Sequence, residues 1–155
     1  MKGVALLRIR GAVETDTETI AVLSGQLGYP APTSEVQERL QRILTQGDGL
    51  VFVAEIGGRV VGWVHVHGKH DLESPARAEI GGIVVDERHR RRGIGEELMA
   101  AAEDWARSMR YATLRLRSNV IREDAHRFYR RLGYSETKRQ VVLSKVVTES
   151  DITDP

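Results

Sequence analysis

The chain has 155 residues, 41% hydrophobic and 29% charged, which fits one soluble globular domain with a single core and excludes bulk disorder. Its 23 basic and 22 acidic side chains leave a formal charge of +1, so the field of the whole protein does not favour nucleic acid. The absence of cysteine rules out disulfides, thiolate metal sites and a cysteine nucleophile, and suits a cytoplasmic setting; Val4–Leu7 is too short for a signal h-region, and no stretch approaches a membrane span.

Leu6–Arg10 reads as a first strand. Thr15-Asp-Thr-Glu18 has capping-box spacing and opens a helix with Ile20, Leu23 and Leu27 on one face, broken by Gly28-Tyr-Pro-Ala-Pro32. Ser34 and Gln37 form a second such box, before a stripe of Val36, Leu40, Ile43 and Leu44 that ends at Gly47-Asp-Gly49. Leu50–Ile56 and Arg59–His67 flank Gly57-Gly58, a hairpin signal. The segment 70–77 carries Ser74-Pro75 and reads as a loop, and Ala78–Val85 as the next strand. Ile94, Leu98, Ala101, Ala102, Trp105 and Met109 predict a long helix, and Thr113–Arg117 alternates as a strand. Ala125, Phe128, Tyr129 and Leu132 share one face of a short helix stopped by Gly133. Tyr134–Lys138 and Gln140–Val146 read as two closing strands, and 148–155 as a frayed acidic tail. The whole is an α+β sheet with helices on both faces.

Between Val85 and Ile94 the strand runs into Arg88, Arg90, Arg91 and Arg92, then the turn Gly93-Ile-Gly95. These arginines stand at the positive end of the helix dipole, a placement that opposes helix stability unless an anion sits there, most plausibly a phosphate. A P-loop is excluded because Glu96 and Glu97 follow Gly95, and a dinucleotide fingerprint because Leu98 replaces its third glycine. Gly-x-Gly alone is equally compatible with a plain turn carrying solvated arginines; the apolar strand before it, the periodic helix after it and the dipole argument favour an anion site. Glu96 and Glu97 also read as first-turn acids that favour the helix.

Arg90-x-x-Gly93-x-Gly95, followed by Ala125-His-Arg-Phe-Tyr-Arg-Arg-Leu-Gly-Tyr134, resembles the GNAT superfamily of acetyl-CoA-dependent N-acetyltransferases, from about Leu50 to Val146. The resemblance implies a single-domain fold over 1–147 whose mixed, mostly antiparallel sheet has about seven strands and splays between strands 4 and 5. It implies acetyl-CoA as co-substrate and no metal. The pyrophosphate would meet the turn Arg90, Arg91, Arg92, Gly93, Ile94, Gly95 and Glu96, through N–H groups of 91–96. The pantetheine arm would lie along Ile83, Val84 and Val85, with the N–H of Val84 or a neighbour as oxyanion donor. Gly81 and Gly82 suit a bulge that opens the gap. Many members carry asparagine seven residues before the tyrosine; here that position is Arg122, so Asn119 is the nearest cofactor contact, with a solvated turn residue as its alternative.

Acyl transfer to an amine requires that the nitrogen lose a proton, that charge on the carbonyl oxygen be held, and that the thiolate be protonated. By the resemblance Tyr129 is the acid, against core packing as its alternative. Glu79, between apolar residues, is the base, against an ion pair with Arg77, Arg115 or Arg117. The Asn119–Tyr129 pattern looks most like the small-amine branch that includes aminoalkylphosphonate acetyltransferases. It implies a small-molecule amine, with any anionic group held by Arg122 or Arg139. His65 and His67 share a strand face but, like His70, lack the partners of a metal site. A silent acetyl-CoA-binding module and a protein N-terminal or lysine acetyltransferase stand as alternatives. Nucleic acid and membrane are not expected as partners, and a homodimer through the C-terminal strands is expected by analogy.

Overall fold

Polar alternation and turn chemistry place five strands in one sheet, in the order β1 (Leu7–Gly11), β2 (Gly49–Ile56), β3 (Arg59–Asp71), β4 (Ser74–Val85) and β5 (Leu114–Arg115). The structure is a computed structural model and describes residues 5–148. The first four strands are antiparallel to their neighbours, and β5 runs parallel to β4. Gly57 and Gly58 both take positive φ, 56° and 80°, as a two-residue hairpin matched to strand twist requires. The helices are α1 (Thr17–Leu27), α2 (Thr33–Gln46), α3 (Ile94–Ser108) and α4 (Glu123–Arg131). Contacts divide the chain after Arg117 into two compact units. The sheet with α1–α3 belongs to the first unit and α4 to the second.

Strand alternation splits the sheet residues between two cores. On one face Val64, Val66 and Ala78 pack with Leu98, Ala102 and Trp105 of α3. On the other, Val51, Val53 and Trp63 meet Ile20 and Ala21 of α1 and Val36 and Leu40 of α2. Helices therefore cover both faces, as the α+β reading predicts.

Several expectations change. Neither capping box forms. The chain enters α1 through a 3₁₀ turn at Glu14–Asp16, where buried Asp16 accepts from the Val13 N–H (2.8 Å) and from both terminal nitrogens of Arg10 (2.8 and 2.9 Å). A buried carboxylate with three strong donors displaces a weaker local cap. Before α2 the cap position is Pro32, and Gln37 donates to Glu14 instead. The predicted 70–77 loop is a hairpin: β3 continues to Asp71 and β4 begins at Ser74. Pro75 is tolerated because the ladder is irregular between Lys69 and Asp71, and the Asp71–Arg77 ion pair (3.0 Å) ties the turn.

The strand expected over Thr113–Arg117 shrinks to two paired residues. The sheet has five strands rather than about seven, because Tyr134–Lys138 and Gln140–Val146 form no strand among the described residues. A strand exists only through a partner, and Val141, Val142 and Leu143 stay 82–88% exposed. Of the 148–155 tail, 149–155 lie outside the described residues.

Candidate active site

The turn after β4 has left-handed backbone and an uncapped helix start. Arg91 and Gly93 both take left-handed backbone (φ 64° and 76°), on either side of Arg92. Gly93 brings no side chain to cap α3. The first intrahelical bond runs from the Glu97 N–H to the Gly93 carbonyl (3.1 Å), after the N–H groups of Ile94, Gly95 and Glu96. Ile94 is buried and pins the helix start, while Arg91, Arg92 and Glu96 are exposed. Arg90 donates from Nε to the Val85 carbonyl (3.3 Å), which ties the turn to the strand end. On α1, Gln26 donates to Asp86 (3.4 Å) and accepts from the Glu87 N–H (3.0 Å), anchoring the same corner.

Upstream, β4 is open along one side. Its ladder with β5 runs Ala78↔Leu114 and Glu79↔Arg115 and stops there, so among the described residues Ile80–Val85 have no paired strand on that edge. Unpaired backbone N–H and C=O groups of an open strand are binding groups for an extended ligand. The splay expected between strands 4 and 5 is present here, alongside Ile83, Val84 and Val85. The bulge is also present: His65 pairs with Gly82 and Val66 with Ile80, leaving Gly81 as the extra residue.

Glu79 sits in register with His67 on one side and Arg115 on the other, and is 8% exposed. Arg77 donates from Nε and Nη2 to Glu79 Oε1 (3.2 and 3.1 Å), and Arg117 Nη2 lies 3.8 Å from the same oxygen. The ion pair weighed as an alternative therefore forms. It gathers these contacts on Oε1. Arg77, itself 5% exposed, is held in turn by Asp71 and Ser74.

Two rings that sequence reasoning did not assign to the site lie on the same face: Trp63, in register with Val84, and His65. Trp63 Nε1 is buried and has no hydrogen-bond partner among the described residues. The signal available was alternation, since Trp63, His65 and His67 occupy every second position of β3. Polar residues on an apolar strand also read as solvated. No cluster of three His, Cys, Asp or Glu suited to a metal occurs among the described residues; His70 instead joins Asp48 (3.1 Å) and the Tyr111 hydroxyl (3.2 Å).

In the second unit, Tyr129 stacks edge-on with Tyr134 (6.3 Å between centroids) and packs on Phe128 (5.2 Å). Burial pushes its phenol above the ordinary value, against a smaller opposing pull from Arg122, so it is protonated at neutral pH. Asn119 serves its own turn: its side-chain oxygen accepts from the Ile121 N–H (3.2 Å) and its carbonyl from the Arg122 N–H (3.0 Å).

A splayed α+β sheet with a glycine–arginine turn at the strand-to-helix corner is the arrangement that the resemblance to N-acetyltransferases implies, and comparison with known proteins shows that class. The sequence model of the acetyltransferase (GNAT) family matches residues 17–134, and the chain belongs to that family. Among curated relatives, it is 31% identical over 138 residues to an aminoglycoside N(6')-acetyltransferase type 1 of Stenotrophomonas maltophilia, covering 86% of this chain and 89% of that one. It is 38% identical over 81 residues to the aminoalkylphosphonate N-acetyltransferase of Salmonella typhimurium, covering about half of each (52% and 53%). Among solved structures, the fold matches aminoglycoside N-acetyltransferase AAC(6')-Iy in complex with CoA, with a TM-score of 0.85 and 22% identity over 94% of this chain and 98% of that one. The family's donor is acetyl-CoA, used as a co-substrate.

Proposed function

We propose that this enzyme moves the acetyl group of acetyl-CoA onto the primary amine of a small molecule, by direct attack with both substrates bound. The observation that carries the reading is the corner at 90–96, where uncapped helix N–H groups and arginines adjoin the open edge of β4. Arg90–Glu96 would hold the pyrophosphate and Ile83–Val85 the pantetheine arm. Bound there, acetyl-CoA supplies the acyl thioester. The buried, unpartnered Trp63 Nε1 supports the fit, since it sits in register with Val84 as a donor in want of an acceptor.

Glu79 is the anion that draws the acceptor's ammonium to β4 and the first candidate for its base. Tyr129, protonated at neutral pH, is the acid that protonates the leaving thiolate. Asn119 shapes the loop before α4, with any contact to the cofactor made from that turn. Around Glu79 the sheet face carries Lys69, Arg77 and Arg115, with Arg117 just beyond β5, against Asp71 and Glu79. That surplus favours a small amine bearing an anionic group over a polycation. Of the arginines first considered for that group, Arg139 is engaged by Glu136, and Arg115 and Arg117 join Arg122 as candidates.

A homodimer through the C-terminal segment is part of the proposal, supported by the exposed run Val141, Val142, Leu143, Val146 and Val147 and checked by light scattering. So is a cytoplasmic location; no helix among the described residues is long and apolar enough to cross a membrane. The test of function is thiol release from acetyl-CoA against aminoalkylphosphonates, aminoglycosides, polyamines and peptide N-termini. Turnover with small zwitterionic amines supports the reading. Binding of acetyl-CoA without turnover of any amine replaces it with a silent module.

A further inference from the structure

The ring of His65 lies at the point where the ladder between β3 and β4 skips Gly81. An ideal Cβ on Gly81 would stand 2.3 Å from His65 Nδ1 and 3.0 Å from Cε1, and one on Gly82 would stand 2.9 Å from Trp63 Cη2. Neither glycine has left-handed backbone, so the backbone does not demand glycine there. The rings do. Strand β4 gives up two side chains at its bulge to admit an indole and an imidazole from β3.

Packing accounts for the indole. It does not account for the imidazole, a polar group half-buried at some cost. Among the described residues its nitrogens have no hydrogen-bond partner, and its ring contact is His67, 5.1 Å away between centroids. Burial, and secondarily His67, holds its pKa down to about 4. It is therefore neutral at physiological pH, with one free lone pair. Around it, β2 brings Val51 in register and α1 brings Leu27 against Gly82, both apolar. The charged or titratable groups on this face are Arg8 and Arg10 on β1, Glu55 on β2, His67, Lys69 and Asp71 on β3, Arg77 and Glu79 on β4, and Arg115 and Arg117 at β5. Glu79, by contrast, has its Oε1 engaged by Arg77.

We propose that His65 takes the proton that the acceptor's nitrogen must shed, while Glu79 holds the ammonium; the inference rests on the acetyltransferase reading above. In the step, the bound ammonium first gives one proton to the His65 lone pair, which passes it to solvent and leaves the free amine. The amine lone pair then attacks the thioester carbonyl: the N–C bond forms as the C–S bond breaks, and the thiolate takes the proton of Tyr129. The nitrogen's second proton restores Tyr129, leaving amide and free thiol.

The test uses the full chain with H65Q, E79Q and G81A, the last of which displaces the ring without removing it. At pH 7, H65Q should lower kcat by about a hundredfold or more. E79Q should act chiefly on the KM for the amine, and G81A should give a smaller kcat loss. Calorimetric binding of acetyl-CoA should persist in all three. The H65Q rate should climb about tenfold per pH unit below the acceptor's pKa, because it must use amine already deprotonated in solution, while the wild-type rate stays flat. Added imidazole should rescue H65Q. Independently of turnover, the acid sensitivity of folding between pH 6.5 and 4 should shrink in H65Q.

Normal kcat in H65Q, the steep pH slope appearing in E79Q instead, or unchanged acid sensitivity overturns the proposal. If H65Q fails to fold, a full kcat in folded G81A overturns it and a selective kcat loss sustains it. Wild-type turnover with an unaffected H65Q defeats this inference alone. Wild-type protein that neither binds acetyl-CoA nor releases thiol defeats the function on which it rests.

Discussion

The two faces of the sheet differ in what they do with the same strands. Against α3, every inward position is apolar, and Val64, Val66, Ala78 and Leu98 are fully buried. Against α1 and α2, the same strands carry Trp63, His65, His67, Arg77 and Glu79. A buried ion pair and an unpartnered imidazole contribute less to stability than packed aliphatics would. The difference teaches that one face is apolar throughout, while the other combines an apolar core at β2 with the polar groups to which the proposed chemistry is assigned.

The sharpest way to break that contrast is to cut into each face in turn. L98A should cost about 3–5 kcal/mol of stability in urea melts, since Leu98 is fully buried under the sheet. A loss below about 1 kcal/mol would mean the α3 face is not the structural one. On the other face, acid should reveal His65. Its pKa is about 4 in the fold and near 6.5 unfolded, so the unfolded chain binds more protons between those values. Stability should therefore fall as pH drops from 6.5 to 4, by up to about 3 kcal/mol, then level off. Comparison with H65Q isolates that share from the carboxylates.

Next, Y129F should slow turnover by about a hundredfold while acetyl-CoA still binds. A near-normal rate removes the tyrosine from the chemistry. The smallest effect is at the corner: G93A should cost about 1–2 kcal/mol, because a Cβ disfavours the left-handed backbone that opens α3. It should also weaken acetyl-CoA measurably by calorimetry. Unchanged affinity would detach the turn from the cofactor.

Much of this was legible from the chain. Gly93 and Gly95 between an apolar strand and a periodic helix mark the corner, because the left-handed backbone that opens α3 at Gly93 favours glycine. Gly81-Gly82 inside a strand pattern marks the bulge. What failed was whatever depended on distant partners. Asp16, not Thr15, opens α1 because Arg10 is near in space. Pro75 sits in a strand because the ladder is irregular beside it. Val141 to Val147 alternate too little and find no strand to join among the described residues. The site shows the same limit. Glu79 was visible, but its hold on Arg77 was one of three open pairings, and His65 looked solvated because nothing in the sequence reveals that Gly81 makes room for its ring.

The central claim is that the main chain at 91–96 and along 83–85 receives acetyl-CoA. The most direct test is to follow the assigned backbone amide resonances during a titration with CoA. The account predicts saturable shifts at Arg91–Glu96 and Ile83–Val85, with α2 (Thr33–Gln46) unmoved. Saturation with those amides unchanged, while others respond, would contradict it.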